Sequence, residues 1–151
     1  MKYQIAQINV GRLKAPLYHP IMKEFVENLE PINALAEQSK GFVWRLKTEE
    51  GNATQIKPFE DDMIIVNISV WKTFEDLKNY VYKSKHTHFL KRRKEWFELF
   101  KGIYYATWWI PEGQIPSIEE AKKRLEFLNE HGDSEYSFTF QRTFPQPKNK
   151  N

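Results

Sequence analysis

The chain has 151 residues, 40 % hydrophobic and 15 % aromatic, with no cysteine: one domain's length, too apolar for disorder and without thiols for disulfides or thiolate metal sites. A formal charge of +3, from 23 basic against 20 acidic residues, argues against a dedicated nucleic-acid binder. No apolar run reaches the roughly 18 residues of a membrane span and the first residues lack a signal-peptide core, so a cytoplasmic location without a membrane partner is expected.

Tyr3 to Val10 alternates and is closed by Gly11, which predicts a strand with Gln7 and Asn9 on one face and Ala6, Ile8 and Val10 on the other. Ile21 to Gln38 carries apolar residues at helical spacing, with Pro31 expected to divide the helix into two pieces. Phe42 to Thr48 reads as a second strand. It is joined by a long polar hairpin loop to a third, Met63 to Trp71, rich in β-branched residues. Phe74 to Phe100 is helical in pattern with a break near Ser84, and Ile103 to Ile110 is a fourth strand ended by Pro111. Ser117 with Glu120 is a capping box opening a last helix, Ile118 to Asn129, stopped by Gly132. Tyr136 to Gln141 suggests a short edge strand, and the run FPQPKNKN a loose tail.

This order predicts an α+β, ferredoxin-like βαββαβ antiparallel sheet with an extra C-terminal helix, residues 1–144 forming the single domain and 145–151 the flexible tail. In the third strand Ile64, Val66, Ile68 and Val70 are wholly apolar and are expected to face the two main helices. Ile65, Asn67, Ser69 and Trp71 are left for the far side, where with Gln7 and Asn9 they would wall a cavity or an interface. The same face of a second copy would close that side as a two-fold homodimer.

The stretch KSKHTHFLKRRKEW holds two histidines among many cations. Helical residues advance by about 100° per step, so His86 and His88 fall about 200° apart and cannot clamp one metal ion. His86 shares the apolar stripe with Tyr82, Phe89, Leu90, Arg93 and Phe97, whereas His88, Lys91, Arg92, Lys94 and Glu95 form a solvated face. A cation on the apolar stripe needs a carboxylate, a ligand anion or the helix end, which singles out Arg93. An imidazole beside it can ligate haem iron, act as acid or base, or hold a substrate oxygen.

The segments GFVWRLKTEEGNATQIKPF, NISVW, FVENLEPINALAEQSKGFVW and VYKSKHTHFLKRRKEWF together resemble a bacterial family known as a domain of unknown function, within the dimeric α/β-barrel superfamily. That superfamily includes antibiotic-biosynthesis and haem-degrading monooxygenases. In the haem degraders an Asn ends the first strand, a Trp ends the third and a His lies on the next helix, and the resemblance maps these roles onto Asn9, Trp71 and His86. Here the His lies later in its helix, with Tyr80 or Tyr82 nearer the ligand position. VYKSKHTHFLKRRKEWF is also similar to a segment of spheroidene monooxygenases, where the match falls on His86.

The resulting expectation is a homodimer that oxidises or binds a hydrophobic small molecule, with haem as a possible cofactor. Asn9, Trp71 and His86 would be the catalytic set, with His86 as the metal ligand where haem binds. Tyr82, Arg93, Asn67 and Trp44 would line the site, Arg93 pairing with an anionic group. The rival expectation is a non-catalytic binding or structural homodimer whose barrel is filled by side chains. In it Glu27, Glu30 or Glu37 would hold His86 and Arg93.

Overall fold

The computed structural model describes residues 2–47, 63–83, 91–99 and 102–148. Strands β1 (Tyr3–Arg12), β2 (Phe42–Arg45), β3 (Ile64–Trp71) and β4 (Tyr105–Pro111) form one antiparallel sheet in the order β2-β3-β1-β4. Helix α1 (Lys23–Gln38) links β1 to β2. Helix α2 (Phe74–Lys83) and the single turn α3 (Arg93–Trp96) lie between β3 and β4, and α4 (Ile118–His131) follows β4. The central pairing of β1 with β3 is the connectivity that the element order predicts for a ferredoxin-like sheet. None of the described helices is long and apolar enough to cross a membrane.

Several boundaries differ from the sequence reading, each for a local reason. Strand β1 runs through Gly11 to Arg12, because Gly11 and Arg12 still pair with Ile65 and Ile64 of β3. Helix α1 is continuous across Pro31: the ring sits on the exposed side, where the carbonyl it leaves without an amide partner, that of the exposed Glu27, meets water. The break expected near Ser84 in the helical stretch from Phe74 to Phe100 lies outside the described residues; α2 is described to Lys83, and a further break stands at Arg92, whose backbone (φ −97°, ψ 5°) is not helical and after which α3 begins. The expected hairpin loop between the second and third strands, residues 49–62, lies outside the described residues, as does residue 48 at the end of the expected second strand. Residues 136–141 form isolated bridges, not a regular strand, and Phe138 exchanges two backbone hydrogen bonds with Thr107 of β4. Phe144 is not part of a loose tail, since its carbonyl accepts from Trp109 Nε1 at 2.8 Å.

The two sheet faces are covered in the reverse of the expected way. The apolar face, with Ile8, Val10, Ile68, Val70, Ala106 and Trp108, packs beneath Ala121, Leu125 and Leu128 of α4. Ser117 Oγ accepts from Glu120 N at 3.0 Å to cap that helix, and Gly132, at φ 80°, ends it in the region glycine enters without strain. The mixed face lies instead under the chain's own α1 and α2: Ile5 and Trp71 contact Ala36 and Leu77, and Leu13 packs with Met22, Phe25 and Trp96. Neither face requires a second copy to cover it.

Only Ala36 of α1 is buried, because much of that helix looks onto open space rather than onto packed side chains. Leu128→Ala should therefore lower the unfolding free energy by about 2–5 kcal/mol in a denaturant titration. Leu29→Ala, facing that space from α1, should cost well under half as much; equal losses would contradict an open gap beneath the helix.

Candidate functional site

Alternation along β1 and β3 sets Gln7 opposite Ser69 and Asn9 opposite Asn67, so four polar side chains meet on the face beneath α1 and α2. They form a hydrogen-bonded row. Gln7 Nε2 donates to Asn67 Oδ1 and to Ser69 Oγ, both at 2.7 Å, while Asn9 Nδ2 donates to Gln7 Oε1 at 3.1 Å and to Asn67 Oδ1 at 3.3 Å. Trp71 Nε1 continues the row by donating to Ser69 Oγ at 2.9 Å.

Above this row lies a cavity of about 220 Å³, roofed by Phe25, Leu29, Ile32 and Ala36 of α1 with Leu77 and Tyr80 of α2. One end is aromatic: Trp71 stacks on Tyr80 with ring centroids 4.9 Å apart and meets Phe42 edge-on at 5.6 Å. Tyr80 Oη donates to the Ile32 carbonyl at 3.4 Å, and burial pushes its phenol well above the ordinary range, with the nearby Arg45 pulling slightly the other way. Arg45 is itself neutralised, its Nε donating to Glu37 Oε1 at 2.8 Å.

The other end is cationic. Arg93 Nη2 donates to the Val10 carbonyl at 3.0 Å, and the guanidinium lies 4.3 Å from the Tyr104 ring and 4.8 Å from that of Phe97. Among the described residues it pairs with no carboxylate. Burial lowers its pKa, because water that would solvate the charge has been displaced. The turn bearing Arg93 is docked by backbone bonds from Lys14 to Trp96 and from Glu98 to Arg12. Gly11 makes the docking possible: a Cβ there would lie 2.5 Å from Phe97 Cδ1 and 3.2 Å from Arg93 Nη2.

Of the residues expected from the sequence, Asn9, Asn67, Trp71 and Arg93 all line this cavity. Trp44 does not: a register shift between Phe42 and Trp44 turns it onto the apolar face with the α4 cluster and brings Arg45 inward in its place. Tyr82 is half exposed against Phe140, and Tyr80 takes the inward position two residues earlier. His86 and His88 lie outside the described residues. The solvated face is as expected at Lys91, Lys94 and Glu95, whereas Arg92 is partly buried over Trp96 and bonded to Glu24 and Glu95. Gln7 lies on the cavity wall as alternation predicts, whereas Gly11 and Arg45 have no part in the site expected from the sequence; for Gly11 the available signal is a glycine at the end of an alternating pattern.

The described lining does not fit haem. It contains no histidine, its one tyrosine is hydrogen-bonded to a backbone carbonyl, and no three His, Asp or Glu side chains among the described residues converge as metal ligands. A volume of 220 Å³ is also below the roughly 300–1,000 Å³ of sites for drug-sized ligands. The arrangement suits a smaller organic molecule lying flat on the amide row.

Comparison with known proteins identifies the chain by family. Residues 4–151 match the model of a domain of unknown function, DUF3291, and the chain belongs to that family. No curated protein matches it. Among solved structures it is similar to a protein of unknown function from Nitrosomonas europaea, with a TM-score of 0.51 at 8 % identity over 76 % of this chain and 96 % of that one. It is also similar to a mutant form of SnoaB, a cofactor-independent oxygenase from Streptomyces nogalater, with a TM-score of 0.46 at 12 % identity over 74 % and 95 %. The first of these likenesses concerns the fold alone.

The close approach at Gly11 is open to test. Gly11→Ala must push Phe97 and Arg93 off β1, with an expected loss of about 1–3 kcal/mol in urea unfolding and a change in the near-ultraviolet signal of Trp96. Unchanged stability and spectrum would mean that the turn does not rest on β1 as described.

Proposed function

We propose that this DUF3291 protein binds a small organic molecule with an apolar body in the cavity between the mixed sheet face and α1 and α2. One observation carries the reading: a row of amide and hydroxyl side chains occupies the centre of the sheet and faces open space rather than packed side chains. A core needs no such groups, and burying them costs free energy unless each finds a partner. Apolar walls with a few fixed polar groups are the usual make-up of a ligand site.

The reaction we attach to the site, on the monooxygenase resemblance of the sequence, is oxidation of that ligand by dioxygen, a CH2 group becoming C=O with one oxygen atom retained and the other leaving with the two hydrogens as water. Asn9 and Asn67 would orient the substrate, the Trp71 ring would form one wall, and Arg93 with the Asn67 amide would stabilise negative charge developing on it. The indole N–H of Trp71 is spent on Ser69, so Trp71 contributes shape rather than a donor. His86 keeps its expected role as acid or base. A homodimer remains part of the proposal, its contact lying away from both sheet faces.

The alternative, a structural dimer with a filled interior, is less well supported. Glu37 is occupied by Arg45 and Glu24 by Arg92, so the acidic residues of α1 do not gather around Arg93. The test is thermal denaturation with 2-naphthol as probe. At a free concentration of about one hundred times Kd it should stabilise the protein by about 2.7 kcal/mol. In Ala36→Trp, which fills the space beneath α1, the shift should vanish. A probe that gives no shift, or one that persists in that variant, would count against the cavity.

A further inference from the structure

The hydrogen-bonding capacity left over in the cavity wall is uneven, and the imbalance defines the ligand. A side-chain amide nitrogen carries two hydrogens. Gln7 spends both on Asn67 and Ser69, and Asn9 spends both on Gln7 and Asn67.

What remains, among the described residues, is mostly donor. Asn67 Nδ2 has no partner. Ser69 Oγ already accepts from Gln7 and Trp71, so its own hydrogen is free to be donated. The acceptors left in the row are Asn9 Oδ1 and the second lone pair of Gln7 Oε1, which accepts once, from Asn9. Arg93 adds a fixed positive charge with five N–H groups, of which one hydrogen bond, to Val10, is made. The other guanidinium of the lining, Arg45, is already neutralised by Glu37.

Position along β1 orders these groups. Arg93 Nη2 lies over Gly11, and Asn9 and Gln7 follow on the same face at steps of about 6.6 Å, with the Trp71 and Tyr80 rings beyond them opposite Ile5. The cavity thus runs from one cation, past neutral amides, to stacked aromatic rings.

Resting on the reading of this cavity as a ligand site, we propose that its ligand is a small planar monocarboxylate with an aromatic body. Its carboxylate is held by Arg93, and a polar substituent is held by Asn67 Nδ2 and Asn9 Oδ1. A guanidinium matches a carboxylate through two parallel N–H···O bonds. One cation that pairs with no carboxylate among the described residues matches one negative charge, which favours a carboxylate over a phosphate dianion. The ring body extends from Phe97 over the amide row toward the Trp71 and Tyr80 rings, where a flat ring gains from stacking.

Isothermal titration of the full chain with naphthalene-2-carboxylate, naphthalene-2-carboxamide and 2-naphthyl phosphate tests this. The carboxylate should bind about tenfold or more tighter than the matched amide, as a charge-assisted pair requires, and tighter than the phosphate. In Arg93→Gln that preference should disappear while the carboxamide binds as before, which also shows that the variant keeps the cavity. Equal affinity for acid and amide in the wild type, tighter binding of the phosphate, or a preference that survives Arg93→Gln overturns the assignment. Binding of the carboxamide alone leaves the cavity a ligand site but refutes the anion. Failure of all three probes refutes the ligand site itself.

Discussion

The seat of α4 on the apolar face of the sheet is the constraint from which the rest follows. Ile8, Val10, Ile68, Val70 and Trp108 are closed off beneath Ala121, Leu125 and Leu128, so the centre of the sheet is fully packed on its apolar side. The opposite face packs at its two ends, through Ile5 and Trp71 and through Leu13 and Trp96, and leaves its centre open. It can carry Gln7, Asn9, Asn67 and Ser69 at its centre, and α1 can stand off from it with one buried residue. A chain that packed the centre of both faces could not leave four polar side chains and an open volume between the sheet and its helices.

What closes the cavity is local and steric. The missing side chain of Gly11 lets Phe97 and Arg93 lie directly on β1, and the backbone bonds of residues 12–14 with 96–98 fix that turn in place. A guanidinium is thus held at one end of a neutral, amide-lined wall, between two aromatic rings and, among the described residues, beside no acid. Stacking of Trp71 on Tyr80 and the Glu37–Arg45 pair close the other end. The two ends differ in charge, and this polarity is what gives the cavity a direction.

Much of this was legible in residue order. Alternation placed Gln7, Asn9, Asn67, Ser69 and Trp71 on one face, because side chains two apart in a strand cannot do otherwise, and the helical stripe picked out Arg93 as facing inward. The face was right and its cover was wrong: an all-apolar strand face seeks a helix, and nothing in β3 itself says that the helix is the last one rather than the first two. Trp44 was misplaced by the irregularity after Phe42, where one extra residue reverses alternation without any mark in composition. The wheel around His86 puts Tyr82 inward by carrying one helical phase from Tyr82 to Phe97, and that phase fails once α2 and α3 are separate elements. Gly11 read as the end of a strand when its meaning was a close approach, which needs the partner's position to be seen.

The central claim is that the amide row serves a ligand and not the fold, and the most direct measurement is the unfolding free energy of the triple variant Gln7→Leu, Asn9→Leu, Asn67→Leu. Replacing mutually bonded polar groups together leaves no orphaned partner among them, and Ser69 still accepts from Trp71, so the row's removal should leave stability unchanged or raise it. If instead the variant loses about 3 kcal/mol or more, the row is a structural network that the fold requires, and the account is contradicted.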